Sequence, residues 1–179
     1  MAKDRKIDNV ILGLLAHEKL TGYDIKKRID GGISLFWKGS FGSIYPALAS
    51  MEQDGLVAID ASTEEGREKK YYSITEKGLK VLTAWLEDDK AINDLKYETM
   101  LKVFFGGVTS REVTVKNIND FSRDIEGRLK LLRMYQESLS PSLDIQDHLY
   151  FYLTVTFGIA TYEAYLKWCE DATRILLEQ

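Results

Sequence analysis

Arg67, Lys69 and Lys70 put three bases within four positions, and Lys26, Lys27 and Arg28 form a second basic run. Lys38 stands just ahead of Ser40, Phe41, Ser43 and Tyr45. Runs of this kind neutralise phosphate, and neighbouring hydroxyls and aromatic groups can bond phosphates or base edges. The bland alternative is a solvated surface, and Glu64, Glu65 and Glu68 beside the first run favour it. Covalent chemistry is poorly provided for. His17 and His148 are the only histidines and Cys169 the only cysteine, so neither a Cys/His zinc cluster nor an internal disulfide can form. The chain has no glycine-rich phosphate loop, nucleophile elbow or carboxylate–histidine metal motif. We expect no enzyme and no cofactor.

Periodicity and turn chemistry supply the elements that would position these residues. Ile7, Val10, Ile11, Leu14 and Leu15 recur with helical spacing. Thr21 and Asp24 form a capping box that opens a second helix over Gly22 to about Asp30. Ile25 and Ile29 turn inward there, Lys26, Lys27 and Arg28 fall mostly outward, and Gly31-Gly32 stops the helix. A third helix begins near Ser43, or at Ser40 with a bend at Pro46, and buries Ile44, Ala47, Leu48 and Met51 before Asp54-Gly55. Leu56 to Asp60 and Lys70 to Ile74 read as strands around a polar loop, Ala61 to Glu68. Thr75 opens another helix with Leu79, Leu82, Trp85 and Leu86 on one face. Three helices, a hairpin and a helix within about 85 residues make a winged helix-turn-helix.

The remainder reads as helical. Tyr97, Met100, Leu101 and Phe104 share a face that ends at Gly106-Gly107. Thr109 and Glu112 form a second capping box before a helix striped from Ile118 to Leu139, broken at Ser140-Pro141. The last helix repeats apolar residues at alternating three- and four-residue steps from Tyr152 to Leu176, with Thr173 out of pattern, as coiled-coil packing requires. A second side carries Leu153, Phe157, Ala160, Ala164 and Trp168, so the helix needs two partners. We expect a homodimer through these helices, with residues 1–88 as the winged helix and 89–179 as a helical dimerisation domain.

The chain has 179 residues, 45% hydrophobic and 29% charged, with a net charge of −4, which excludes a disordered chain. Residues 1–84 hold 13 basic and 12 acidic side chains and the rest 11 and 16, so the acidic back half suits phosphate poorly. The stretch from Leu149 to Tyr162 is uncharged for 14 residues, short of the roughly 20 a membrane span needs, and reads as a buried helix. The first residues lack the apolar run of a signal peptide, and a single cysteine fits a reducing compartment; both predict a cytoplasmic location away from membranes.

Gly39 to Leu48, continuing through Met51-Glu52 to Asp54-Gly55-Leu56-Val57, resembles the recognition helix of the PadR-like transcriptional regulators. Ile11 to Leu15, Thr21 to Ile25, Lys70-Tyr71-Tyr72 and Thr75 to Gly78 are similar to the same family. Phe157-Gly158, Tyr162-Glu163, Tyr165-Leu166 and Trp168 are similar to its longer-tailed branch. The resemblance implies a mainly α fold with a small hairpin, and a dimeric repressor of a palindromic operator released by a small aromatic or hydrophobic effector. Known relatives respond to phenolic acids or hydrophobic drugs, and the sequence does not choose among these.

A recognition helix reads bases from its N-terminal residues, which makes Ser40, Phe41, Ser43 and Tyr45 candidates, the serines alternatively as simple caps. The resemblance implies a DNA contact for Tyr45. Lys26, Lys27, Lys38, Arg67, Lys69 and Lys70 are the phosphate candidates. Trp85, Tyr97, Tyr152, Tyr162 and Trp168 are effector candidates, though an aromatic stripe at helical spacing is more often core, and Cys169 reads as a buried, inert thiol. The competing function is a winged helix that binds protein and has no operator of its own.

Overall fold

The computed structural model describes residues 6–37, 44–64, 67–88, 91, 93 and 96–178, with the backbone alone at 35, 61–64, 67, 68 and 146. The chain divides into two compact units, Met1–Ile92 and Asn93–Gln179.

The first unit runs α1 (Lys6–Leu15), β1 (Leu20–Thr21), α2 (Gly22–Gly31), α3 (Ile44–Gln53), β2 (Val57–Glu64), β3 (Arg67–Ile74) and α4 (Glu76–Leu86). Its core gathers Ile7, Ile11, Leu12 and Leu15 of α1, Ile25 and Ile29 of α2, and Ile44, Ala47, Leu48 and Met51 of α3, closed by Leu20, Val57 and Leu82. These are the helical stripes read from the sequence, except that on α1 Leu12 and Asn9 are buried while Val10 and Leu14 pack only partly buried against the core. Pro46 is the third residue of the described α3, and the start expected at Ser43 or Ser40 lies outside the described residues. The α3–β2 turn places Gly55 at φ 68°, a left-handed conformation that suits glycine. Lys77 Nζ donates to the Asp54 carbonyl at 2.6 Å and ties the same turn to α4.

The sheet differs from expectation. β1 is a third strand, giving the antiparallel order β1-β3-β2 with Leu20 opposite Tyr72. The segment expected as a polar loop, Ala61 to Glu68, is mostly paired strand. Residues Ala61, Ser62, Thr63 and Glu64 face Lys70, Lys69, Glu68 and Arg67, and only 65 and 66, at the tip, lie outside the described residues. Backbone hydrogen bonds hold this pairing although the segment lacks apolar alternation. Of the expected apolar face of α4, Leu82 is buried, whereas Leu79, Trp85 and Leu86 are exposed.

The second unit comprises α5 (Glu98–Phe104), α6 (Arg111–Leu139) and α7 (Gln146–Glu178), the last two joined by a short turn around Pro141. α6 and α7 pack along their length through Ile118, Ile125, Leu129 and Leu132 on one side and Val155, Tyr162 and Cys169 on the other. Gly158 lets the helices close up, since a Cβ there would lie 2.8 Å from Leu132 Cδ1. The second capping box is corrected. α6 starts after Ser110, whose side chain caps no backbone N–H, and the Ser110 hydroxyl instead holds the Glu112 carboxyl below its usual range. The segment Leu149 to Tyr162 is not a buried helix within this unit: Leu149, Tyr150, Phe151, Leu153 and Phe157 are exposed. The expected face of α5 is likewise open at Leu101 and Phe104. No described helix is long and apolar enough to cross a membrane.

Candidate nucleic-acid interface

The start of α2 is built by its own sequence. Asp24 N–H donates to Thr21 Oγ1 at 3.2 Å, while the Thr21 N–H and hydroxyl donate back to Asp24 Oδ2 at 3.3 and 2.6 Å. The hydroxyl bond from Thr21, with Arg28 and Lys27 adding, holds the Asp24 carboxyl below the ordinary range against the opposing effect of burial. This cap fixes the first turn, Gly22 and Tyr23, against the first turn of α3. Tyr45, second residue of α3, lies with its ring edge across Gly22: a Cβ built on that glycine would fall 2.8 Å from Tyr45 Cε1. The ring is otherwise open, at 60% exposure, and Tyr23, next in chain to Gly22, is 69% exposed.

One turn along α2, Lys26 Nζ bonds Asp30 at 2.6 Å. The Asp30 carboxylate raises the Lys26 ammonium above its usual range, and the phenols of Tyr23 and Tyr45 act in the same direction. Arg28 pairs with Glu18 at 2.7 Å, and Lys19 pairs with Asp60. Lys27 is exposed and forms no ion pair among the described residues. On β3, alternation sets Lys69 with Tyr71 and Lys70 with Tyr72; both lysines are exposed, and Tyr72 packs against the core. Burial raises the Tyr72 phenol, with Glu52 and Tyr45 of α3 adding. Lys38, Ser40, Phe41 and Ser43 lie outside the described residues, and Arg67 is described by its backbone alone, opposite Glu64.

Of the effector candidates, Tyr97 and Tyr162 come together with Tyr165 and Phe121 where α5, α6 and α7 meet. The Tyr97 and Tyr165 hydroxyls are 2.6 Å apart, and Tyr97 stands edge-on to Phe121 and Tyr165 at 6.1 and 5.5 Å. Burial, then the Tyr165 bond, pushes the Tyr97 phenol well above its usual range. Arg128 bonds Asp124 at 2.8 Å and also the Tyr162 hydroxyl. Tyr152 and Trp168 are half-buried elsewhere on α7, and Trp85 belongs to the first unit. A groove along α6 and α7, lined by Glu126, Leu129, Lys130, Arg133, Glu163 and Lys167, includes none of these aromatics. Cys169 is buried, and desolvation raises its thiol, with Glu126 and Glu170 adding. Among the described residues no group of three or more His, Cys, Asp or Glu could hold a metal ion.

Residues 11–84 match the transcriptional regulator PadR-like family, and residues 95–176 match the family described as virulence activator alpha C-term. The chain belongs to the PadR-like family of transcriptional regulators. It is 29% identical over 176 residues to the negative transcriptional regulator PadR of Bacillus subtilis (strain 168), covering 93% of this chain and 95% of the relative. The crystal structure of Bacillus subtilis PadR in complex with operator DNA superposes with a TM-score of 0.85 at 28% identity, covering 96% of this chain and 99% of that one. The structure of the same regulator in complex with p-coumaric acid gives 0.77 at 26% identity, over 96% and 99%. This PadR-like chain is therefore a transcriptional regulator rather than an enzyme. Gly22, which meets the Tyr45 ring, is not among the candidates the sequence offers, where Thr21 to Ile25 carries a helix cap and a family likeness. The pairing of residue 22 with residue 45 is tertiary and has no local signal.

Proposed function

We propose that the chain is a dimeric repressor in which residues 1–88 bind a palindromic operator as a winged helix and residues 89–179 dimerise. A small aromatic or hydrophobic effector releases the DNA. The observation that carries this reading is its likeness, over 96% of its length, to a PadR whose structure holds operator DNA. The local geometry supports it: α3 offers the exposed Tyr45 ring to solvent over Gly22, with the Lys26 ammonium within its electrostatic reach.

In this mechanism the N-terminal end of α3 enters a major groove. Ser40, Phe41, Ser43 and Tyr45 face base edges and the adjoining phosphates. Lys26, Lys27, Lys38, Arg67, Lys69 and Lys70 contact the backbone. The dimer spaces two such surfaces by about one helical turn of DNA, roughly 34 Å. An effector binding the second unit, with the Tyr97–Tyr162–Tyr165 cluster as its candidate seat, favours a dimer whose spacing no longer matches the operator.

The test is a fluorescence anisotropy titration against the DNA upstream of the protein's own coding sequence, at low and moderate salt. Tight binding over a palindrome, well above that to random DNA, is expected. The log–log salt dependence should fall by about 0.9 for each phosphate neutralised. Lys27→Ala and Lys70→Ala should each flatten that slope and weaken all sequences alike, whereas Tyr45→Phe should alter sequence preference more than slope. Equal weak binding to operator and random duplexes would defeat the reading and favour a protein-binding winged helix.

A further inference from the structure

We propose that Gly22 is a positioning residue for DNA recognition, its bare Cα forming the seat on which the Tyr45 ring is held in its DNA-facing orientation. The inference rests on the reading of Tyr45 as a DNA contact.

Gly22 is the first residue of α2 and is buried. Its backbone is not among the positive-φ glycines, so conformational freedom does not explain a glycine there. Helix propensity does not call for glycine either, since alanine is the better helix former. Space argues for glycine. The three atoms nearest to a Cβ at this position are Tyr45 Cε1, Cζ and Cδ1, at 2.8, 3.4 and 3.5 Å, one edge of a single ring.

The other glycines of this unit behave differently. A Cβ on Gly78 would strike the Leu56 carbonyl oxygen at 2.2 Å, a backbone clash that concerns the fold, and Gly13 and Gly31 meet nothing within 4 Å. Among the described glycines, Gly22 alone has all its nearest atoms on one exposed side chain.

A methyl group at residue 22 leaves the core of the unit untouched, because the atom in its way is the end of a side chain that is 60% exposed and free to swing outward. The ring edge must open from 2.8 Å to ordinary contact, a shift of roughly half an ångström or more, and the hydroxyl beyond it moves further. Displacements of that size are enough to spoil a recognition geometry. The position thus separates two properties that most substitutions change together: Gly22→Ala spares the helix and misplaces the reader.

The experiment uses the full chain and the duplex upstream of its own coding sequence, with wild type, Gly22→Ala, Tyr45→Ala and the double variant. Gly22→Ala is expected to keep or raise the melting temperature while weakening operator binding about tenfold. In the Tyr45→Ala background the added methyl has room, so Gly22→Ala should then change affinity by less than twofold, a coupling that a general loss of structure would not produce. Gly22→Ala binding the operator as wild type does, or its loss adding in full to that of Tyr45→Ala, would overturn the seat while leaving the repressor reading intact. A wild-type chain with no operator preference would overturn both.

Discussion

The Thr21–Asp24 box is a local arrangement, three residues apart, and so was legible in the sequence down to its atoms. Its carboxyl titrates below the ordinary aspartate range, chiefly because of the Thr21 hydroxyl. A depressed folded-state value means that the stabilisation is present above the unfolded value, about pH 4, and lost as pH falls through the folded one. Asp24→Asn should therefore cost about 1 kcal/mol at neutral pH, and its melting curve should converge on the wild type's once the pH has fallen through the folded-state value. A gap that persists at acid pH would show that the carboxylate is not the stabilising group. Tyr97 illustrates the opposite case, since its partner Tyr165 is 68 residues away and no spacing rule connects them. Its phenol is raised, so the stability it lends is complete below about pH 10 and lost above it. Tyr97→Phe should cost roughly 0.5–1.5 kcal/mol at pH 7 by removing one hydroxyl bond. In urea unfolding between pH 9 and 11 the wild type should lose stability more steeply than this variant; parallel curves would refute the assignment.

Elements were readable where burial writes a period into the sequence. Ile44, Ala47, Leu48 and Met51 mark α3, and the stripe from Ile118 to Leu132 marks α6. They were unreadable where backbone pairing alone makes the structure. Ala61 to Glu64 show no apolar alternation, and β1 is two residues long, too short to carry a pattern. Close approaches between elements are equally silent, because a glycine announces space without saying what fills it. Gly78 and Gly158 make the point testable. A Cβ at 78 meets the Leu56 carbonyl oxygen at 2.2 Å, where α4 presses on the strand that begins next to it, and backbone cannot rotate away. At 158 the obstacle is Leu132 Cδ1 at 2.8 Å, a methyl that can turn aside, and alanine favours helix there by about 1 kcal/mol. Gly78→Ala should cost roughly 2–4 kcal/mol or prevent accumulation of folded protein, while Gly158→Ala should stay within about 1 kcal/mol of wild type. Denaturant unfolding of both variants decides it, and a larger cost at 158 would reverse the argument.

At the scale of the molecule, the two-sided apolar pattern of α7 points beyond the single chain. One side is accounted for by α6, through Val155, Tyr162 and Cys169. The other is not: Leu149, Leu153 and Phe157 follow at four-residue steps on a face open to solvent within the unit, Phe157 at 67% exposure. Continuous exposed apolar surface of this kind marks an interface, and burying a Leu or Phe side chain contributes about 1.5–3 kcal/mol. A second copy of α7 is the partner the repressor reading requires, since an operator of two half-sites needs two linked winged helices. Charges on this face act on the interface and spare the α6–α7 seam. Leu153→Glu with Phe157→Glu should therefore leave the helical content unchanged. The mass by light scattering should fall from twice the 20.5 kDa chain mass to once. Operator affinity should drop by roughly a hundredfold or more, because the second half-site no longer binds as an intramolecular event, while contact with a single half-site persists. A variant that stays dimeric and keeps its affinity would move the interface off this face of α7 and onto the exposed apolar residues of α5, Leu101 and Phe104, which the same pair of measurements can then probe.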